Sequence, residues 1–95
     1  MPEKTFRDND AASRYELRID GELIGSAEYA ASPSSVSITR VFTRPTHRNQ
    51  GLAAEITEYA VQQIVASGRK VVPLCSYAAA WFSHHPELKD ALAEA

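Results

Sequence analysis

Ninety-five residues with a formal net charge of -2 and a pI near 5.9 fit one domain, residues 1–95, with a modest core. The acidic balance argues against general nucleic-acid binding, so any basic cluster acts locally. Cys75 is the only cysteine, which excludes an internal disulfide framework and a cysteine-based zinc site. No apolar run reaches the about 18 residues of a membrane span, and the charged N-terminus is unlike a signal peptide, so a cytoplasmic protein that does not engage membranes is expected.

Strand signals fill the first half. Lys4 to Arg7 reads as a short strand turning at Asp8-Asn9-Asp10. Tyr15, Leu17 and Ile19 then alternate with Arg14, Glu16, Arg18 and Asp20, the period of a half-buried strand. Asp20-Gly21 signals a tight primed turn. The return strand carries Leu23, Ala27 and Tyr29 on one face, and Gly25 marks a bulge or a close backbone approach. Ser32-Pro33-Ser34-Ser35 makes the next turn, and Val36 to Thr43 forms another strand of an antiparallel meander.

The period changes after Gly51. Leu52, Ile56, Tyr59, Ala60, Gln63 and Ile64 recur at helical spacing, and Ser67-Gly68 supplies the stop. Val71 to Cys75 is a continuous apolar run, expected to be a strand buried on both faces and, by right-handed crossover, parallel to Val36–Thr43. Pro73 has no N–H for the ladder, so pairing should fail there and the two strands splay. A short helix from Tyr77 to Ser83 with Ser76 as N-cap follows, and Pro86 opens a final helix bearing Leu88, Ala91 and Leu92. Trp81-Phe82 is expected to pack the short helix onto the sheet. The fold class is therefore α/β, an α+β mixed sheet.

Arg48-Asn49-Gln50-Gly51-Leu52-Ala53 joins a strand to a helix, where unpaired N–H groups and the positive dipole end suit a phosphate. Arg44, His47 and Arg48 lie beside it, and no Asp or Glu occurs between Glu28 and Glu55. Adjacent histidines His84-His85 project in different directions with no third ligand, so no metal is expected.

With Val72-Pro73-Leu74-Cys75 and His85-Pro86-Glu87 in order behind it, this loop gives the chain a resemblance, from about Phe6 to Leu88, to the small single-domain subgroup of the GNAT superfamily of acyl-CoA N-acyltransferases. The resemblance implies a compact GNAT-like fold and acetyl-CoA as cosubstrate. Its pyrophosphate would rest on the backbone of Arg48, Asn49, Gln50, Gly51, Leu52 and Ala53, with the pantetheine arm pairing with Val41, Phe42 and Thr43 between splayed strands. Asn49 and Ala53 stand where glycines are common, and Asn49 tolerates positive φ.

The implied chemistry is transfer of an acetyl group to an amine, by direct attack in a ternary complex. Relatives carry His-Thr-Glu or His-Thr-Tyr where this chain has Arg40-Val41-Phe42, so the base of that strand is missing. Arg40 either binds an anionic acceptor or sits in solvent. Cys75, expected near the thioester, is either an acyl carrier or acceptor-positioning group, or a small buried hydrophobe. Tyr77 is either the general acid or a packing residue. Two other readings compete: a CoA-binding module without turnover, and a protein-interaction adaptor that uses the basic loop. Larger superfamily members wall the acceptor site with helices between their first strands; this chain has only the Asp20-Gly21 turn there, implying an open face for a small amine, peptide or protein acceptor.

Overall fold

The computed structural model describes residues 3–93. Five strands form one mixed sheet in sequential order: β1 (Lys4–Asn9), β2 (Arg14–Ile19), β3 (Glu22–Ala31), β4 (Ser35–Thr43) and β5 (Lys70–Pro73). The first four are antiparallel neighbours, and β5 runs parallel to β4 after the helix α1 (Leu52–Ala66). A second helix, α2 (Ser76–Ser83), follows β5.

Alternation places Tyr15 and Leu17 of β2 in the core, joined by Ile24, Ala27, Val36 and Ile38 from the next strands. Leu52, Ile56, Ala60 and Ile64 of α1 and Ala78, Trp81 and Phe82 of α2 complete the same cluster. Both helices thus close one face of the sheet, and Trp81-Phe82 packs α2 as expected. Asp20 (φ 52°) and Gly21 (φ 84°) build the β2–β3 turn in the left-handed region that the primed turn requires. The first connection, between β1 and β2, is a single 3-10 turn, Asp10–Ala12, so no helix walls off the sheet there either.

Gly25 meets both parts of its expectation. The register slips from Leu17↔Gly25 to Arg18↔Leu23, leaving Ile24 as the extra residue. A Cβ on Gly25 would stand 3.2 Å from the Phe42 carbonyl oxygen. A second slip, between Glu28↔Arg40 and Tyr29↔Ile38, leaves Thr39 unpaired in β4.

The opposite face is covered by arginine rather than by a helix. Register rows cross the strands as Arg7, Glu16, Ser26, Phe42 and as Asn9, Arg14, Glu28, Arg40. Glu16 reads from alternation as an outward residue, yet it is fully buried. Arg14 Nε donates to its carboxylate at 2.7 Å, Arg18 at 3.1 Å and Asn9 Nδ2 at 2.9 Å, with Arg7 Nε 3.6 Å away. Burial pushes this carboxyl upward, but the hydrogen bonds from Asn9, Arg14 and Arg18 outweigh it and bring it down to about 2. The arginine stems form the lid that excludes water.

Three expectations need correction. β5 is not buried on both faces: it is the edge strand, only Val71 is buried, it stops at Pro73, and Leu74 is 64% exposed. An apolar run suits a central strand, but among the described residues no further strand lies beyond β5; the chain past α2 returns to it through the Val71↔Leu92 bridge and the Lys70 Nζ bond to the Asp90 carbonyl. The N-cap of α2 is Cys75, not Ser76; Cys75 keeps an extended backbone (ψ 151°) and its Sγ accepts the Ala78 N–H at 3.3 Å, while Ser76 is already helical. The final helix, Pro86–Ala91, is a 3-10 helix, tightened by bonds such as Leu88 N–H to His85 O. Its Leu88, Ala91 and Leu92 do pack against the core. No helix among the described residues is long and apolar enough to cross a membrane.

Candidate functional site

The β4–β5 ladder ends where Pro73 predicts. Pairing runs from Ser35↔Lys70 to Ile38↔Pro73, and the N–H groups of Leu74 and Cys75 then converge on the single Ile38 carbonyl at 3.0 and 3.2 Å. Beyond Ile38 the chain of β5 turns away into α2, and Thr39–Thr43 keep one edge without a strand partner. Two strands leaving each other at this point open a cleft of about 470 Å³.

Val41, Phe42 and Thr43 line the cleft from β4, and His47, Arg48, Asn49 and Gly51 from the loop. The first turn of α1 contributes Leu52, Ala53 and Ala54, and α2 contributes Tyr77. Val41 and Thr43 share the helix side of the sheet with Ala27 and Gly25, whereas Phe42 shares the arginine side with Ser26. The cleft therefore borders both faces.

The loop has the geometry of an anion cradle. A 3-10 turn, Pro45–His47, lifts the chain from β4, and Asn49 (φ 66°) and Gly51 (φ 74°) both take left-handed backbone. Gly51 is the N-cap of α1 and offers no side chain to it; its carbonyl accepts the Glu55 N–H at 3.1 Å. Among the described residues, the N–H groups of Asn49, Gln50 and Gly51 also donate to no protein group. A run of free backbone donors at a helix N-terminus is the kind of arrangement that binds anions. A Cβ at Gly51 would meet nothing within 4 Å, so within the protein the glycine is required by its φ rather than by crowding.

A second polar group in the cleft lacks a partner. Thr43 Oγ1 is buried with no hydrogen bond among the described residues. Tyr77 sits opposite, 39% exposed, and burial raises its hydroxyl pKa, so it stays protonated at neutral pH. Among the described residues, the cleft lining contains no carboxylate.

A family model described as GCN5-related N-acetyl-transferase matches residues 14–91. The chain belongs to that family. Solved structures agree on the fold. The ribosomal-protein-S18-alanine N-acetyltransferase from Escherichia coli superposes with a TM-score of 0.63 at 15% identity, covering 80% of this chain and 50% of that one. The ribosomal-protein-alanine N-acetyltransferase from Brucella melitensis biovar Abortus 2308 gives 0.60 at 14% identity, covering 86% of this chain and 62% of that one. This GCN5-related chain thus spans half to under two thirds of the length of those enzymes. No curated protein matches it by sequence.

Of the residues singled out in this GCN5-related sequence, Val41, Phe42, Thr43, Arg48, Asn49, Gly51, Leu52, Ala53 and Tyr77 are brought together; Gln50 and Cys75 are not among the lining. Cys75 is half-buried against the core and occupied as a helix cap. Arg44 leaves the basic cluster: its Nε donates to the Leu23 carbonyl at 2.7 Å and its guanidinium approaches Glu22 at 3.8 Å. Arg40 lies over the Phe42 ring at 5.6 Å and 3.5 Å from Glu28, 64% exposed. Ala54 was missed, although its place in the first helical turn is a sufficient signal. The unpaired, buried hydroxyl of Thr43 leaves no trace in the sequence.

Proposed function

We propose that the protein is an acetyl-CoA-dependent N-acetyltransferase acting on an amine by direct attack. The single observation carrying this reading is that an unpaired strand edge and an uncapped helix N-terminus meet in one cleft. Membership of the family supports the acyl donor. The Arg48–Ala53 backbone holds the pyrophosphate, with Arg48 adding local positive charge. The free edge at Val41–Thr43 pairs with the pantetheine amides as an added strand, and Thr43 Oγ1 gains a partner there.

In the transfer step a neutral amine nitrogen attacks the thioester carbonyl carbon, forming the C–N bond as the C–S bond breaks. Tyr77 gives its hydroxyl proton to the departing sulfur, the new N-protonated amide loses a proton to water, and solvent returns a proton to the Tyr77 oxygen, leaving amide and free thiol. With no carboxylate in the cleft, the amine arrives deprotonated or is deprotonated by solvent. The two structural neighbours are named for acetylating an alanine of a ribosomal protein. A polypeptide amine suits this chain as well, because nothing walls off the arginine face beside Phe42.

Titration calorimetry with acetyl-CoA and desulfo-CoA, followed by turnover on an amine panel, tests the proposal. Absence of acetyl-CoA binding overturns it. Tight binding without turnover on any amine selects the second reading, a CoA-binding module, which the carboxylate-free cleft and Phe42 favour.

A further inference from the structure

We infer that the helix-free face of the sheet docks an acidic polypeptide segment, the part of the acceptor that delivers its amine to the cleft; the delivery clause rests on the acetyltransferase reading. Among the described residues, the register rows place Arg7, Arg14, Arg18 and Arg40 on this face with two acidic side chains, Glu16 and Glu28. The whole chain carries net charge -2, so the positive excess is local to this surface and its complement is an anion.

Arg18 is committed to Glu16 and to the Gly21 carbonyl, but the other three arginines keep donors free. Arg14 spends only its Nε on Glu16, and Arg7 stands 3.6 Å off that carboxylate and is 61% exposed. Glu16 itself is sealed beneath them and accepts nothing more from outside. Solvent therefore meets guanidinium groups of which Arg7 and Arg14 keep free N–H edges, while Arg40 is shared with Glu28 and the Phe42 ring; a free guanidinium edge has the geometry that takes a carboxylate.

Shape selects the occupant. The cations lie on β1, β2 and β4, which at about 4.8 Å per strand spread over roughly 14 Å, the length of about four residues of an extended peptide crossing the sheet. A nucleic acid fits less well. The only ring on the register rows of this face, Phe42, is already covered by Arg40, which leaves no stacking platform. The row Arg7, Glu16, Ser26, Phe42 runs from the outer strand straight to the cleft, so a peptide lying along it ends at the reacting end of the site.

Fluorescence anisotropy on the full chain tests this with three labelled probes: a decapeptide alternating Glu and Ser, its Gln-for-Glu counterpart, and a single-stranded oligodeoxynucleotide of matched charge. The Glu peptide should bind at least about tenfold tighter than the Gln peptide, as a few exposed charge pairs allow, and lose that preference in an Arg7→Ser/Arg40→Ser variant. Both positions are exposed, and a single cooperative melting transition, lowered at most by the loss of Arg7 from beside Glu16, certifies the fold. Equal binding of Glu and Gln peptides, a preference surviving in the double variant, or tighter binding of the oligonucleotide overturns the inference. Acetyl-CoA calorimetry on the same samples reads the enzymatic proposal separately, since neither arginine lines the cofactor cradle.

Discussion

Replacing Glu16 by glutamine keeps the size of the side chain and removes the negative charge beneath three guanidiniums. The carboxyl drops from its ordinary 4.5 to about 2 in the fold because its hydrogen bonds to Asn9, Arg14 and Arg18 outweigh burial. At about 1.4 kcal/mol per pH unit, that lowering corresponds to roughly 3 kcal/mol of folding stability. Arg14 and Arg18 are 34% and 32% exposed, so solvent screens part of it. About 2 kcal/mol is the working figure, or roughly 8–16 °C in melting temperature for a domain of this size. A folded pKa below the unfolded one stabilises above the unfolded value and loses that contribution as pH falls toward the folded value. Thermal melts of the wild type should therefore lose this increment between about pH 5 and pH 2. Glu16→Gln should melt lower at pH 7 and lack that component of the acid dependence. Coincident melting curves for the two proteins at pH 7, or parallel slopes through the acid window, refute the reasoning.

Gly51→Glu should fold and lose acetyl-CoA affinity by at least about a hundredfold, by placing a carboxylate at the anion cradle and straining a residue at positive φ; unchanged affinity by calorimetry counts against the cradle. Tyr77→Phe should leave acetyl-CoA affinity intact while lowering kcat about a hundredfold. The wild-type rate should not fall until the pH passes the ordinary tyrosine range, because burial raises that hydroxyl; an early fall assigns the proton to another group. Cys75→Ala should cost about 1 kcal/mol through the lost cap yet keep turnover, with Cys75→Ser restoring stability. Loss of turnover in both, or a labile acetyl adduct on Cys75 seen by mass spectrometry, would instead make sulfur the carrier.

Local patterns foretold what local physics decides. The alternation of Tyr15, Leu17 and Ile19, the Asp20-Gly21 turn, the period of α1 and the positive φ of Asn49 each depend on a few adjacent residues, and all appear in the structure. The end of pairing at Pro73 follows from one missing N–H. What stayed hidden depends on distant partners. The edge position of β5 depends on what else the sheet contains, which an apolar run does not reveal. Arg44 beside a basic loop looks available until the β2–β3 hairpin supplies Leu23 O and Glu22. Glu16 looks solvated until Arg7, from a different strand, and Arg14 and Arg18 close over it. In the cleft, residues contiguous in sequence were legible, and so was Tyr77, which opens the helix that follows β5.

The unpaired stretch of β4 also bears on solubility. Thr39–Thr43 present backbone donors and acceptors along one edge, a template on which any extended chain can add a strand, copies of this protein included. The surrounding residues guard against that outcome: the extra residue at Thr39 kinks the edge, Arg40 places a charge on it, and Pro45 stops its extension. A ligand seated there would act as a molecular chaperone for the edge, so the protein should be most prone to self-association when purified free of ligand at high concentration.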